Sequence, residues 1–118
     1  MFGLSPSYRF HLYSAPTDMR KGFDGLSGLV QNNLCYNPLN GDVFIFINRS
    51  RNKIKLLQWQ SSGFTLYYKR LETGSFELPE YDNSTTGSIT LDYAQLVMLI
   101  DGLSIKNIQR RKRYSLSI

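Results

Sequence analysis

The sequence has little of what a secreted or membrane protein needs. It contains a single cysteine, Cys35, and no apolar run approaching the ~20 residues of a membrane-spanning helix. Its first residues, MFGLSPSYRF, lack the basic region, apolar run and cleavage site of a signal peptide. One cysteine cannot form an internal disulfide, which agrees with a reducing compartment. We therefore expect a cytoplasmic protein that does not contact a membrane.

Recognisable catalytic motifs are also missing. There is no P-loop, no histidine-containing metal motif and no plausible Ser-His-Asp set. His11 is the only histidine, and no cysteine stands at a metal-ligand spacing from it. Several acidic residues fall at predicted caps and turns instead of gathering as a two-metal site requires. We expect no enzymatic activity, cofactor or metal, and a metal-dependent enzyme is the minor alternative.

Positive charge is unevenly distributed along the 118 residues. Residues 1–101 carry nine Lys/Arg and nine Asp/Glu, so the net charge of +5 resides in residues 102–118. Such asymmetry is typical of chains that bind a polyanion, most often nucleic acid, although a solvated tail that only aids solubility is the alternative. We predict one domain over residues 1–103 and a basic tail over residues 104–118. The cations of this segment are Lys106, Arg110, Arg111, Lys112 and Arg113.

Hydrophobic periodicity predicts the strands. Alternation over residues 8–13 indicates a half-buried strand that has His11 on its polar side. The continuous apolar run 43–47 indicates a central strand, and with residues 53–59 and 64–71 it forms a predicted antiparallel meander. Aromatic residues make up 14% of the sequence, which also favours strands.

Two helices complete the predicted fold. Thr17 and Asp18 are typical helix-start residues, and the helix should end near residues 32–33. Asp92 opens a second helix, with Gln95 completing a capping box. The fold class is therefore α+β, with a mainly antiparallel sheet of four to six strands and two principal helices packed on it.

The first predicted helix has an unusual beginning. Met19, Phe23, Leu26 and Val30 would share its buried face. Arg20 and Lys21 would then lie in the first turn, where the helix dipole disfavours cations, which favours a bound anion. An internal ion pair is the alternative. Three glycines in this stretch, at positions 22, 25 and 28, suggest a close approach by another backbone or a partner.

The meander suggests a second binding surface. If Ile54 and Leu56 face the core, a count of alternating positions places lysines and aromatic rings together on the outer face. Cations beside flat rings suit nucleic acid, which offers phosphates and stackable bases. The alternative is that Trp59 packs under a helix while the lysines form a solvated rim. The predicted outer face consists of Lys53, Lys55, Trp59, Tyr67 and Lys69.

The turn before this hairpin adds to the surface. Arg49 and Arg51 lie in the turn 48–52, and Arg70 follows Lys69 on the next strand. Cations clustered in this way repel one another in the absence of a partner, so we predict contact with DNA phosphates or an acidic protein surface. Protection of a strand edge from aggregation is the alternative.

Several sequence runs, read together, point to a known family. The most specific is Thr17–Leu26 within the run PTDMRKGFDGL, and the segment Tyr68–Phe76, YKRLETGSF, supports it. In order and spacing, residues 3–103 resemble the TnpB-type accessory protein of the IS-sixty-six class of bacterial insertion sequences. The family usually has Trp-Pro where this chain has Leu78-Pro79, so a role for that tryptophan does not transfer. The other matching runs are Gly3–Pro6, Gly41–Phe46, Ile54–Trp59 and Leu91–Leu96.

The resemblance implies a protein encoded by a mobile element and required, with a separate transposase, for transposition. The partners we expect are the DNA ends of the element and the transposase, and homo-oligomerisation is left open. The alternative is a protein-interaction subunit that docks on the transposase without contacting DNA. The resemblance brings no catalytic residue.

Overall fold

The computed structural model describes residues 3–79 and 87–101. Its elements confirm the predicted α+β class, with five strands and two helices in these residues. The predicted tail, including Arg110, Arg111, Lys112 and Arg113, lies outside the described residues, as does the predicted domain boundary at residue 103. The elements are β1 (Phe10–Tyr13), α1 (Phe23–Asn32), β2 (Val43–Ile47), β3 (Lys53–Gln60), β4 (Gly63–Arg70), β5 (Ser88–Leu91) and α2 (Tyr93–Ile100).

The strands form one sheet in the order β4-β3-β2-β1-β5. β2, β3 and β4 pair antiparallel in sequence order, which confirms the predicted meander. β2 is the central strand, as predicted, and all five of its residues are buried. β1 pairs parallel with β2, and this pairing requires the long crossover that contains α1. β5 closes the other edge by pairing antiparallel with β1.

Both faces of the sheet are covered by apolar side chains. On one face, Phe10, Ile45 and Ile54 pack with Leu96 and other residues of α2. On the opposite face lies a second cluster, in which Leu26 and Val30 of α1 pack with residues of β2 and β3. Full burial of one such side chain stabilises the fold by about 1.5–3 kcal/mol. A strand that is covered on both faces, such as β2, therefore has apolar residues at successive positions and not at alternate ones.

His11 shows the consequence of this two-sided burial. The side of β1 that we predicted to be polar is covered, and His11 is only 3% exposed. Its ring stacks with Tyr36 and Phe44, at centroid distances of 4.4 and 5.2 Å. Its Nε2 lies 2.8 Å from Oδ2 of Asp42. The polar-side assignment was wrong, and His11 is a buried strand histidine that has a carboxylate partner.

The helices confirm part of what the sequence predicted. The capping box of α2 is present: Gln95 N donates to Asp92 Oδ1 at 2.7 Å, and Asp92 N donates to Gln95 Oε1 at 2.9 Å. α1 ends at Asn32, as predicted, and buries Leu26 and Val30. Phe23, however, was assigned to the buried face and is 48% exposed.

α1 begins at Phe23 and not at Thr17, because Asp18 closes a turn instead of capping a helix. Its Oδ1 accepts from Arg20 N at 2.9 Å, and its carbonyl accepts from Lys21 N at 3.1 Å. Gly22 takes the N-cap position without a side-chain bond. Arg20 and Lys21 therefore precede the helix, and our placement of both cations in its first turn was wrong.

Of the three glycines at positions 22, 25 and 28, only Gly25 has a close neighbour among the described residues. A Cβ on Gly25 would lie 3.1 Å from Cβ and Cγ of Lys21, so glycine lets the lysine stem lie against α1. A Cβ added at Gly22 or Gly28 would meet nothing within 4 Å among the described residues. Among the described residues, the close contact at Gly25 is with a side chain, and none of the three glycines has the close backbone neighbour that we predicted.

Lys55 holds the segment before α1 onto the sheet. Its side chain projects from β3, and its Nζ donates to the carbonyls of Met19 at 2.7 Å and Lys21 at 2.8 Å. The residue is only 6% exposed, so its predicted place on an open surface was wrong. Nearby, Thr17 N donates to Ile47 O at 2.8 Å and ties the same segment to the end of β2.

We predict that Lys55→Met lowers the free energy of unfolding by about 1–3 kcal/mol, because two carbonyls lose a charged hydrogen-bond donor in a buried site. Lys53→Met is the matched control, since Lys53 lies two residues away on the same strand and is partly exposed. That control should change stability by about 0.5 kcal/mol or less. Urea unfolding of both variants measures the difference, and equal effects would contradict the structural role of Lys55.

Candidate nucleic-acid interface

The turn between β2 and β3 is held by two asparagines. Asn48 Oδ1 accepts from the backbone N of Asn52 and of Lys53, both at 3.0 Å, and Asn48 Nδ2 donates to Asn52 Oδ1 at 2.7 Å. Arg51 has φ +57°, in the left-handed region that few non-glycine residues adopt. The asparagines fix the turn, so the exposed side chains of Arg49 and Arg51 extend from a defined loop.

The register of the β3–β4 hairpin corrects our count of its faces. Lys55 pairs with Tyr68, and Leu56 pairs with Tyr67. Directly opposed residues share a face, so Tyr68 lies beside Lys55, whereas Tyr67 and Lys69 lie on the other face with Leu56 and Ile54. Lys53, Lys55 and Trp59 share one face, as predicted, but the prediction was wrong for Tyr67 and Lys69, which lie on the opposite face. The more polar side of β4 is the side that packs toward α2, so its apolar pattern did not identify the outward face.

Lys69 and Tyr67 belong to the face that α2 covers. Lys69 Nζ donates to Ile100 O at 2.8 Å, at the end of α2, where a positive charge also complements the helix dipole. Tyr67 packs against the cluster beneath α2. Burial, together with the nearby Asp101 carboxylate, raises the pKa of Tyr67. Both side chains have structural partners here.

Trp59 lies at the far end of the hairpin from Lys53. Its ring packs edge-on against Phe64, with the centroids 5.0 Å apart. It lines a separate pocket of about 540 Å³ together with polar residues such as Gln60 and Thr65. Trp59 therefore does not join the cations of the turn.

A cleft of about 580 Å³ does bring several of the predicted residues together. One wall is the segment 16–20 and the other is the turn 48–50, and Lys53 and Tyr68 complete the lining. Three of the predicted cations line it, namely Arg20, Arg49 and Lys53. Lys21, Lys55 and Arg70 are not part of the lining.

Tyr68 is the cleft residue that sequence reasoning missed. It is 51% exposed, and Lys55 Nζ lies 4.7 Å from the centroid of its ring. The count that placed Tyr67 and Lys69 on the outer face leaves Tyr68, which lies between them, on the core side. The sequence did contain one indication of its position. Tyr68 pairs with Lys55 across the hairpin, and a tyrosine that shares a face with a lysine has a cation beside its ring.

Positive charges lie close together beside the cleft. Lys53 pairs directly across the strands with Arg70, and like charges in such positions are destabilising. Arg70 is partly neutralised by Glu72, whose Oε1 lies 2.9 Å from Nη2, and this hydrogen bond raises the pKa of Arg70. Within residues 3–79 and 87–101, neither Arg49 nor Lys53 forms a salt bridge.

Arg20 and Asp18 form an ion pair at the mouth of the cleft. Arg20 Nη2 lies 2.6 Å from Asp18 Oδ2, and Arg20 Nε donates to Asp18 Oδ1 at 3.1 Å. The side-chain hydrogen bond from Arg20 lowers the pKa of Asp18 from 3.8 to about 2. The internal ion-pair alternative holds for Arg20, although the partner is two residues away and exposed.

The described part of the chain offers neither a metal site nor a membrane span. No group of three or more His, Cys, Asp or Glu side chains could hold a metal ion among residues 3–79 and 87–101. No helix in those same residues is long and apolar enough to cross a membrane.

The fold defines a small basic α+β protein, and its cleft is lined by three cations and one carboxylate. The chain belongs to the family of IS66 Orf2 like proteins, whose model matches residues 8–110. The resemblance inferred from the sequence is confirmed, and the chain is an accessory protein of an insertion sequence.

Two relatives come from Sinorhizobium fredii (strain NBRC 101917 / NGR234). One, "Uncharacterized protein y4jC", is 30% identical over 111 residues, which are 94% of this chain and 92% of y4jC. The other, "Uncharacterized protein y4hO", is 35% identical over 105 residues, which are 89% of each chain. No solved structure matches this chain significantly.

We predict that the Asp18 carboxyl titrates at about pH 2 in the folded protein. Because its pKa is lowered on folding, the stabilisation is present above the ordinary value of 3.8 and is lost as the pH falls through 2. Arg20→Gln should move the midpoint back toward 3.8. NMR titration of the Asp18 side chain measures both midpoints, and identical values in the two proteins would contradict the ion pair.

Proposed function

We propose that the chain acts in transposition by binding the DNA of the insertion sequence through the cleft at the β2–β3 turn. The observation that carries the proposal is that Arg20, Arg49 and Lys53 line one concave surface together with Asp18. Asp18 pairs with Arg20, so Arg49 and Lys53 are left without a salt bridge among the described residues. Arginine and lysine side chains are the usual partners of DNA phosphates. The family membership supports a role beside DNA, because insertion sequences move as DNA.

The surroundings of the cleft extend its positive charge. Arg51 projects from the same turn, and Arg70 lies opposite Lys53 at the end of β4. Neutralised phosphates release condensed counterions, so binding of this kind is strong at low salt and weakens steeply as salt increases. A strand crossing the cleft would meet the cations Arg49 and Lys53 on one side and the Arg20–Asp18 ion pair on the other.

Docking on the transposase is the second candidate partner for this surface. An acidic protein patch would also satisfy unpaired arginines and lysines, and the charges of the cleft do not distinguish it from phosphates. Pull-down of the transposase with and without DNA separates the two partners. If docking is the function, the protein assembles with the transposase when no DNA is present.

We predict that the double change Arg49→Glu and Lys53→Glu weakens binding to element-end DNA by at least about tenfold, because two attractions become repulsions. The slope of log K against log salt should flatten by about two, at roughly 0.9 for each phosphate that is no longer neutralised. Fluorescence anisotropy at several salt concentrations gives both quantities. Melting temperature should change little, since both side chains are at least partly exposed.

Arg9→Glu is the matched control, because Arg9 is exposed and its carbonyl accepts from Val43 N at the opposite end of β2. It should retain most of the affinity. Transposase pull-down with and without DNA completes the test. Loss of assembly only in the presence of DNA supports the DNA-binding proposal, and loss in both conditions selects docking. Unchanged binding and assembly would show that the cleft is not the functional surface.

We predict that deletion of residues 104–118 flattens the salt slope of DNA binding further. The segment carries five cations and no acid, and each neutralised phosphate contributes about −0.9 to the slope. Anisotropy against salt compares the deletion with the full chain, and circular dichroism checks that both are folded. An unchanged slope would rule out a DNA-binding role for the tail.

A further inference from the structure

We infer that the cleft takes an unpaired nucleotide, with its base stacked on Tyr68 and its phosphates on Arg49 and Lys53. This inference rests on the proposed DNA-binding function and specifies the form of DNA that the cleft accepts. It assigns Tyr68, which carries no charge, the role of selecting single-stranded over duplex DNA.

The first argument is the position and exposure of the Tyr68 ring. The residue lines the cleft and is 51% exposed, whereas its neighbours Tyr67 and Lys69 pack on the other side of the sheet. An exposed aromatic ring beside two cations provides both groups that bind single strands: a stacking surface and partners for phosphates.

The second argument is that the ring is held in place before any ligand arrives. Lys55 Nζ lies over the ring at 4.7 Å from its centroid. Lys55 is itself buried and fixed by the carbonyls of Met19 and Lys21. One face of the ring is therefore occupied by a fixed ammonium group, and the exposed part of Tyr68 is presented to the cleft. A ring held in this way loses little conformational freedom when a base stacks on it.

The third argument is the shape of the surface. Reading a duplex by its base edges requires a protruding helix or ribbon that enters a groove. Tyr68 lines a concave cleft between the segment 16–20 and the turn 48–50, so it cannot enter a groove. In a duplex the faces of the bases are covered by their stacked neighbours. Only an unpaired base can place its face on Tyr68, and a cleft of about 580 Å³ has room for one nucleotide.

The test compares the full chain with variants at Tyr68, by anisotropy at one salt concentration. The ligands are a 20-nucleotide single strand, the same sequence as a duplex, and a 20-unit abasic sugar-phosphate strand. Loss of one stacked base costs roughly 5- to 150-fold in affinity. We expect Tyr68→Leu to bind the normal single strand about tenfold more weakly and Tyr68→Phe to bind within about twofold of the unchanged protein.

Phe23→Leu is the matched control, because Phe23 is similarly exposed and is not in the cleft lining. It should leave binding unchanged. The abasic strand makes the test independent of variant folding: the unchanged protein should bind it about tenfold more weakly than the normal strand. Tyr68→Leu should bind both strands equally.

Three results would overturn the inference. They are duplex binding as tight as single-strand binding, equal affinity for abasic and normal strands, or no effect of Tyr68→Leu in a folded variant. Each of them leaves the proposed function standing if Arg49→Glu with Lys53→Glu still weakens DNA binding. If that double change has no effect on any DNA, the proposed function itself fails.

Discussion

Lys55 connects three parts of the molecule that are distant in sequence. Its stem belongs to β3, its ammonium group binds two carbonyls of the segment before α1, and the same group lies over the ring of Tyr68 on β4. A buried ammonium group is costly unless its donors are satisfied, and here they are satisfied by backbone oxygens instead of a carboxylate. The positive charge is therefore retained next to the cleft. The segment that forms one wall and the ring that lines the floor both depend on this one side chain.

The sequence predicted the elements whose signals are local. The run 43–47 indicated a buried strand through its short length, its β-branched and aromatic residues and the turn signals beside it, and Asp92 with Gln95 could be recognised as a capping box from spacing. The start of α1 could not be placed in the same way. An aspartate such as Asp18 can cap a helix or close a turn with equal chemistry. The segment after it is held by Lys55, which is 37 residues away from Asp18 in the chain and gives no local signal.

The candidate site was predicted in part. Arg20, Arg49 and Lys53 were all named from their charge, and the cleft brings them together. Lys55 and Lys69 were also named from their charge, although both bind backbone carbonyls. Charge alone does not distinguish a lysine that binds a ligand from one that stabilises the fold. Tyr68 was missed because it shares a face of β4 with the apolar residues Phe64 and Leu66, although no residue of this edge strand is fully buried.

In the turn between β2 and β3, the side chains that hold the backbone are different from two of the side chains that line the cleft. Asn48 and Asn52 determine its conformation through their own side chains, so Arg49 and Ser50 contribute little to it. Substitutions at those two positions can accumulate without loss of the fold. The lining of the cleft can therefore change its charge and shape while the scaffold stays the same, which separates the evolution of this surface from the evolution of the fold.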